Sequence, residues 1–216
     1  MHAPPTTGPQ QRQLAMELSA TMAAIYGRGW CDGTGGNFSC VLQRNPLRLL
    51  MAPSGVHKGE VRPEDLIVVD GSAAVLRGRG RASAETLLHL AIVGETGAGA
   101  VLHTHSQAAT LLSQQLPPGE TGTPGLLRLE GLEMLKGLEG IDSHTGAVEV
   151  PVLANDQNLK RLSAAAAPHL ATAPHGLLIA GHGLYAWGPT LAVARRHLEI
   201  HEFLLEHAWR RLLLTR

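Results

Sequence analysis

The run Ala100-Val101-Leu102-His103-Thr104-His105 constrains this chain more than any other stretch. A short apolar segment preceded by Gly97 and Gly99 reads as a β-strand, and it ends in two histidines two residues apart. Strand side chains alternate between faces, so His103 and His105 share one face while Leu102 and Thr104 take the other. Two imidazoles side by side at a strand end can both reach one small cation, since zinc–nitrogen bonds are about 2.0–2.1 Å long. A second apolar run, 177–180, leads into Gly181-His182-Gly183, whose glycines permit close approach of backbone and ligand. Three histidines without a thiolate partner suit a catalytic zinc site better than a structural one. The fold must then bring two distant strand ends together.

The 12 histidines of the chain make an ordinary hydrogen-bonded His-x-His pair a real alternative. The second strand end, with carboxylates nearby in sequence, tips the balance towards a metal site. His197 and His201 are a decoy. His201-Glu202 resembles the start of the zinc-protease helix motif, but that motif needs a histidine where Leu205 stands. These two histidines are expected to be solvated or at a subunit contact, and to bind no metal.

With 216 residues, 44% of them hydrophobic, the chain can bury one substantial core, and a single domain over 10–216 after a flexible 1–9 segment is expected. Its 18 basic and 18 acidic side chains balance, which argues against nucleic acid as a partner. Cys31 and Cys40 match no metal or redox spacing, so a reducing compartment is the simpler reading. The prolines and glycine of 1–9 replace the apolar core that a secretion signal needs, and no apolar run reaches about 18 residues. A soluble cytoplasmic protein without membrane contact is the expectation.

Helical spacing of Leu14, Leu18, Met22 and Ile25 predicts a helix over 10–26, closed by Gly27 and Gly29. Strands are expected at 37–42, 47–52, 66–69, around Val75, and at 100–104, 148–153, 176–180 and 185–187. Asp70-Gly71 marks a turn, and the run from Arg77 through Arg79 to Arg81 reads as a solvated hairpin turn. Helices are expected at 84–94 with Ser83 as N-cap, 106–115, 132–138, 157–170 and 190–214, with 116–125 as a loop rich in proline and glycine. The pattern predicts an α/β domain with a central mixed, largely antiparallel sheet covered by helices on both faces.

A second constellation suits an anion. Gly33-Thr34-Gly35-Gly36-Asn37 precedes a strand, and Ser54-Gly55-Val56-His57-Lys58 follows one. Backbone N–H groups, a hydroxyl and a lysine are the parts that cradle a phosphate, although such glycine runs are most often plain turns. Ser83 at a helix start adds a further donor. The nucleotide-binding Gly-x-x-x-x-Gly-Lys pattern is absent. Glu85, Glu130 and Glu133 are carboxylates that a zinc could work beside in enolate chemistry, and spacing alone does not choose among them.

From about Gln10 to Leu213 the chain resembles the class II aldolase/adducin superfamily. The resemblance rests on Thr34 to Asn37, Ser54-Gly55 with Lys58, Ser83 to Thr86, Ala100 to His105, Pro151 with Asn155-Asp156-Gln157, and Gly181 to Leu184 with Trp187-Gly188. Glu133-Met134-Leu135-Lys136, the Asn-Asp-Gln triplet and the run 194–199 are closest to its dehydratase branch, hydro-lyases of methionine salvage that act on a methylthio-substituted ketose phosphate. The resemblance implies one zinc per subunit on His103, His105 and His182, with Glu133 as catalytic acid/base. It implies sugar-phosphate contacts at Gly36, Asn37, Ser54, Gly55, Lys58 and Ser83, with Glu85 in the same pocket; in the aldolase branch the acid/base and occasional fourth ligand sits at that position, and the role of Glu85 here stays open. Some dehydratases carry cysteine at the Glu85 position, and aldolases often have a serine where this chain has Ala84. The family pattern is a homotetramer with active sites at subunit contacts. Two alternatives remain: a zinc aldolase or epimerase acting on another sugar phosphate, and a non-catalytic adducin-like module, which is expected to lack the three histidines present here.

Overall fold

In the computed structural model, which describes residues 8–116 and 123–214, nine strands form one sheet. Helix α1 (Pro9–Tyr26) leads to β1 (Asn37–Arg44), β2 (Leu47–Met51), β3 (Ile67–Asp70) and β4 (Val75–Arg77). Then follow α2 (Thr86–Thr96), β5 (Ala100–Thr104), α3 (Gln107–Gln114), β6 (Gly125–Glu130), a 3-10 turn (Glu133–Gly137) and β7 (Ala147–Leu153). The chain finishes with α4 (Leu159–Leu170), β8 (Gly176–Ile179), β9 (Gly183–Gly188) and α5 (Leu191–Leu214). The order across the sheet is β4-β3-β2-β1-β5-β9-β8-β7-β6. Among the described residues only β7 and β8 pair in parallel, so the sheet is mixed and largely antiparallel. Helices α1, α3 and α5 bury Leu18, Ala109 and Leu198 against Leu102, Leu184 and Ala186 on one face. On the other, α2 and α4 bury Leu88, Ile92 and Leu162 against Val101, Leu177 and Ile179.

Several expectations need correction. Strand β6 falls partly in the segment read as a loop and was not expected, although its alternation is plain: Leu127 and Leu129 are buried, Leu126, Arg128 and Glu130 exposed. The one-sided pattern of an edge strand carries little apolar weight, which hides it among turn residues. Ser83 does not cap α2; Glu85 holds the cap position without a side-chain bond, and the Ser83 hydroxyl accepts the Glu85 N–H at 3.3 Å. The arginine run is no hairpin turn. It leaves the end of β4 and crosses towards α2, with the Arg81 carbonyl accepting the Ser54 N–H at 2.9 Å. Asp70 does form the turn expected of it, its carboxylate accepting the N–H groups of Ser72 and Ala74. The 1–9 segment lies outside the described residues except for Gly8 and Pro9, where α1 begins, and most of the 116–125 loop lies outside them too.

Strand directions gather the candidate residues at one end of the sheet. Because β5 pairs antiparallel with β1 and β9, the end of β5 sits beside the start of β1, where Asn37 is opposite His103. The turn from β8 to β9 carries His182 to the same end, and Ser39 opposite Met51 brings the exit of β2 there. Helix α2 runs back to feed β5, so its N-terminus faces this end as well.

Candidate metal centre

Glu85, His103, His105 and His182 place four donor atoms within 4.8 Å of one another. The three Nε2 atoms are 2.8 Å (His103–His105), 3.1 Å (His105–His182) and 3.4 Å (His103–His182) apart. Two nitrogens on a tetrahedral zinc with ordinary bond lengths lie about 3.3 Å apart, so this triangle fits such an ion with small adjustments. The ring planes are inclined at 64–86°, which lets the three nitrogen lone pairs converge. A carbonyl can only accept, so the 2.9 Å bond from His103 Nδ1 to the Leu184 carbonyl fixes the proton on Nδ1 and leaves Nε2 bare for a metal. Burial holds the His103 and His105 imidazoles below their usual range and therefore neutral, the form that ligates. Tyr185 stacks on His103 with centroids 3.9 Å apart, fixing the ring from behind.

The backbone is shaped around these rings. A Cβ on Gly183 would strike the Thr104 carbonyl, and one on Gly36, which holds φ +78°, would come 2.9 Å from the His103 carbonyl. Helix α3 holds the third histidine: the Thr110 hydroxyl donates to the His182 carbonyl at 3.2 Å, and the Gly181 N–H donates to Ser113 Oγ at 3.0 Å. Neither helical residue was singled out from the sequence, because a hydroxyl on a short helix carries no metal signal.

Glu85 joins the cluster directly. Its Oε1 lies 3.0 Å from His182 Nε2 and 3.6 Å from His103 Nε2, while Asn37 Nδ2 donates to Oε2. Burial pushes this carboxyl up, but the His182 hydrogen bond and the His103 and His182 imidazoles outweigh it and bring it to about 2. The group is thus an anion at any working pH. The two loops read as an anion cradle lie beside it. Gly36 and Gly55 both adopt positive φ, and the Ser54 loop is tied to the segment leading into α2 through Arg81. Lys58 is buried, its ammonium donating to the Thr34 and Val56 carbonyls at 2.9 and 3.0 Å, so it clamps the two loops and has one hydrogen left.

Glu133 lies elsewhere. It follows β6, which runs opposite to β5 and sits four strands away in the sheet, roughly 19 Å sideways at about 4.8 Å per strand. The 3-10 turn therefore lies beyond the opposite end of the sheet from the histidines. There Glu133 is exposed and pairs with Lys136 at 2.8 Å and His144 at 3.7 Å. Glu130 is exposed as well, paired with Arg128. His197 and His201, expected to be solvated or at a subunit contact, are fully buried within the chain; their rings bond the Trp187 and Pro174 carbonyls at 2.7 and 2.8 Å.

Residues 16–209 match the family model of the class II aldolase and adducin N-terminal domain. The chain belongs to this family. Among relatives, the methylthioribulose-1-phosphate dehydratase of Methylococcus capsulatus is 44% identical over 195 residues, covering 89% of this chain and 91% of that one. The methylthioribulose-1-phosphate dehydratase of Pseudomonas aeruginosa is 40% identical over 209 residues, covering 95% and 98%. Two solved structures superpose well. YgbL of Escherichia coli has a TM-score of 0.77 at 25% identity, covering 93% of this chain and 90% of that one. The L-fuculose-1-phosphate aldolase of Thermus thermophilus has a TM-score of 0.69 at 28% identity, covering 95% and 96%.

Proposed function

We propose that this family member is a hydro-lyase that dehydrates 5-methylthioribulose 1-phosphate to 2,3-diketo-5-methylthiopentyl 1-phosphate, a step of methionine salvage, as a zinc-dependent cytoplasmic homotetramer. The observation that carries the reading is near-full-length identity of 40–44% to dehydratases of that name in a chain whose histidines and anion cradle meet at one sheet end. His103, His105 and His182 would hold the zinc, with Glu85 completing the donor set. A zinc there supplies Lewis acidity towards the ketose carbonyl and so acidifies the adjacent C–H. The loops at Gly36-Asn37 and Ser54-Gly55, with Ser83 before α2 and Lys58 clamping the loops, anchor the phosphate and convert binding into alignment. The C3 proton leaves, the C4 hydroxyl departs as water, and the enol formed takes up a proton to become the diketone.

Glu133 moves these protons in the site of a neighbouring copy. Its position beyond the far end of its own sheet bars it from its own cluster, while its exposure leaves it open to another chain. Glu133→Gln is expected to retain zinc and lose most turnover. Co-expressing Glu133→Gln with His103→Ala, each inactive alone, is expected to restore activity at about a quarter of the sites by random mixing in a closed assembly. Absence of any restoration in verified mixed oligomers would reject the arrangement.

Glu85 beside the histidines also suits a zinc aldolase or epimerase. Product identification separates the two: incubation with 5-methylthioribulose 1-phosphate is expected to release the diketone, and cleavage of L-fuculose or ribulose phosphates instead would favour the aldolase.

A further inference from the structure

Glu202 is a carboxyl buried in the layer between α5 and the sheet, where its neighbours Leu198, Leu204 and Leu205 are apolar. A carboxyl in such a layer is costly unless it is bound to something. Thr104, the residue between two of the zinc-ligand histidines, donates its hydroxyl to Glu202 Oε1 at 2.5 Å, and both groups are buried. Strand alternation sends Thr104 to the α5 face and the two imidazoles to the opposite one, so Glu202 grips the strand from behind the site. Glu202 also bonds the Ser106 side chain, whose oxygen caps α3 by accepting the Ala109 N–H at 3.1 Å. Helix α3 in turn holds the Gly181–His182 turn through Thr110 and Ser113. One carboxyl thereby braces the strand carrying His103 and His105 and the helix supporting His182.

We infer that Glu202 is a positioning residue of the metal centre, acting through Thr104 and Ser106 to hold the three imidazoles at ligating distance. The inference rests on those histidines being the zinc ligands. A site of this kind depends on its outer supports, whose loss typically weakens metal affinity 10–100-fold. Glu202 also gains a role that the failed zinc-protease pattern around His201-Glu202 did not provide: it serves the zinc from the wrong side of the sheet for ligation.

The test is zinc affinity of the full-length protein by chelator competition, alongside thermal stability of the metal-free form. Glu202→Leu is expected to weaken zinc binding by about 10–100-fold. Glu202→Gln, which can still accept from Thr104 and donate to Ser106, is expected to stay within about threefold of the parent. Thr104→Val should weaken zinc in the same direction, and the double variant should be no worse than Glu202→Leu alone, because both remove one contact. Leu198→Ala, a cavity in the same layer, should lower stability and leave zinc affinity in place. If Glu202→Leu binds zinc like the parent, or loses affinity only as Leu198→Ala does, the inference is overturned. Should Glu202→Leu fail to fold, an unchanged zinc affinity in Thr104→Val overturns it instead. Retention of zinc by His103→Ala defeats the ligand assignment itself, a separate result.

Discussion

The two ends of the sheet each carry histidines near a glutamate, and they differ in what those groups can do. At one end His103, His105, His182 and Glu85 form the cluster described above; at the other, His175, His197 and Glu139 also bring three donor atoms within 4.8 Å. The first set has inclined rings, and His103, with its proton held on Nδ1 by the Leu184 carbonyl, turns a bare Nε2 to the other donors. In the second, His175 and His197 lie stacked, centroids 4.3 Å apart and planes at 23°, so their lone pairs lie in nearly parallel planes and do not converge. His197 Nδ1 is committed to the Trp187 carbonyl, and its Nε2 accepts the Glu139 N–H at 3.3 Å. Donor count and proximity are therefore insufficient to define a metal site. Ring orientation and the fate of the second nitrogen decide it.

The largest test of this contrast is paired substitution. His103→Ala is expected to abolish zinc binding, while His175→Ala keeps one zinc per chain by metal analysis; loss of zinc from both would erase the distinction between the ends. A backbone pair sharpens it. An alanine at Gly183 meets the Thr104 carbonyl, and one at Gly176 meets the His201 ring. Both should lose stability, about 1–3 kcal/mol for overpacking, but only Gly183→Ala should also release zinc. Equal zinc retention in the two variants would mean that the ligating backbone tolerates displacement.

The smallest effect is in pH. Burial drives the His201 imidazole down to about 4 from an ordinary 6.5. Between those values the unfolded chain binds the extra proton, so this group favours the fold above pH 6.5 and loses that contribution as pH falls towards 4. The integrated effect is about 3 kcal/mol. Glu202 next to it runs the other way: burial raises it to about 7, so its contribution is present below about 4.5 and fades as pH rises through 7. Denaturant unfolding of His201→Leu is expected to lose less stability on acidification from pH 6.5 to 4 than the parent does. Parallel slopes would show that the ring is not held neutral by burial.

How much of this was legible depended on whether a residue's partners were local. The strand at 100–104, its two same-facing histidines and Gly181-His182-Gly183 could be read because alternation and strand ends are local properties. The long α5 and the turn at Asp70 were legible for the same reason. The capture of Glu85 by Asn37 and His182 depends on which strand lies beside which, and no spacing along the chain reports that. The burial of His197 and His201 inside their own chain is not local either: a polar pair four apart on a helix reads as solvated or at a subunit contact until the carbonyls of Trp187 and Pro174 are placed against it. Glu133 illustrates the converse. Its local Glu-Met-x-Lys neighbourhood marks it, yet the antiparallel return of β6 puts it at the far end of its own chain from the cluster.

Zinc titration of chelated, folded enzyme, scored by diketone formation from 5-methylthioribulose 1-phosphate, tests the central claim most directly. Activity is expected to be absent without metal and to rise linearly to a plateau at one zinc per chain. Full turnover by the metal-free, folded protein would contradict it.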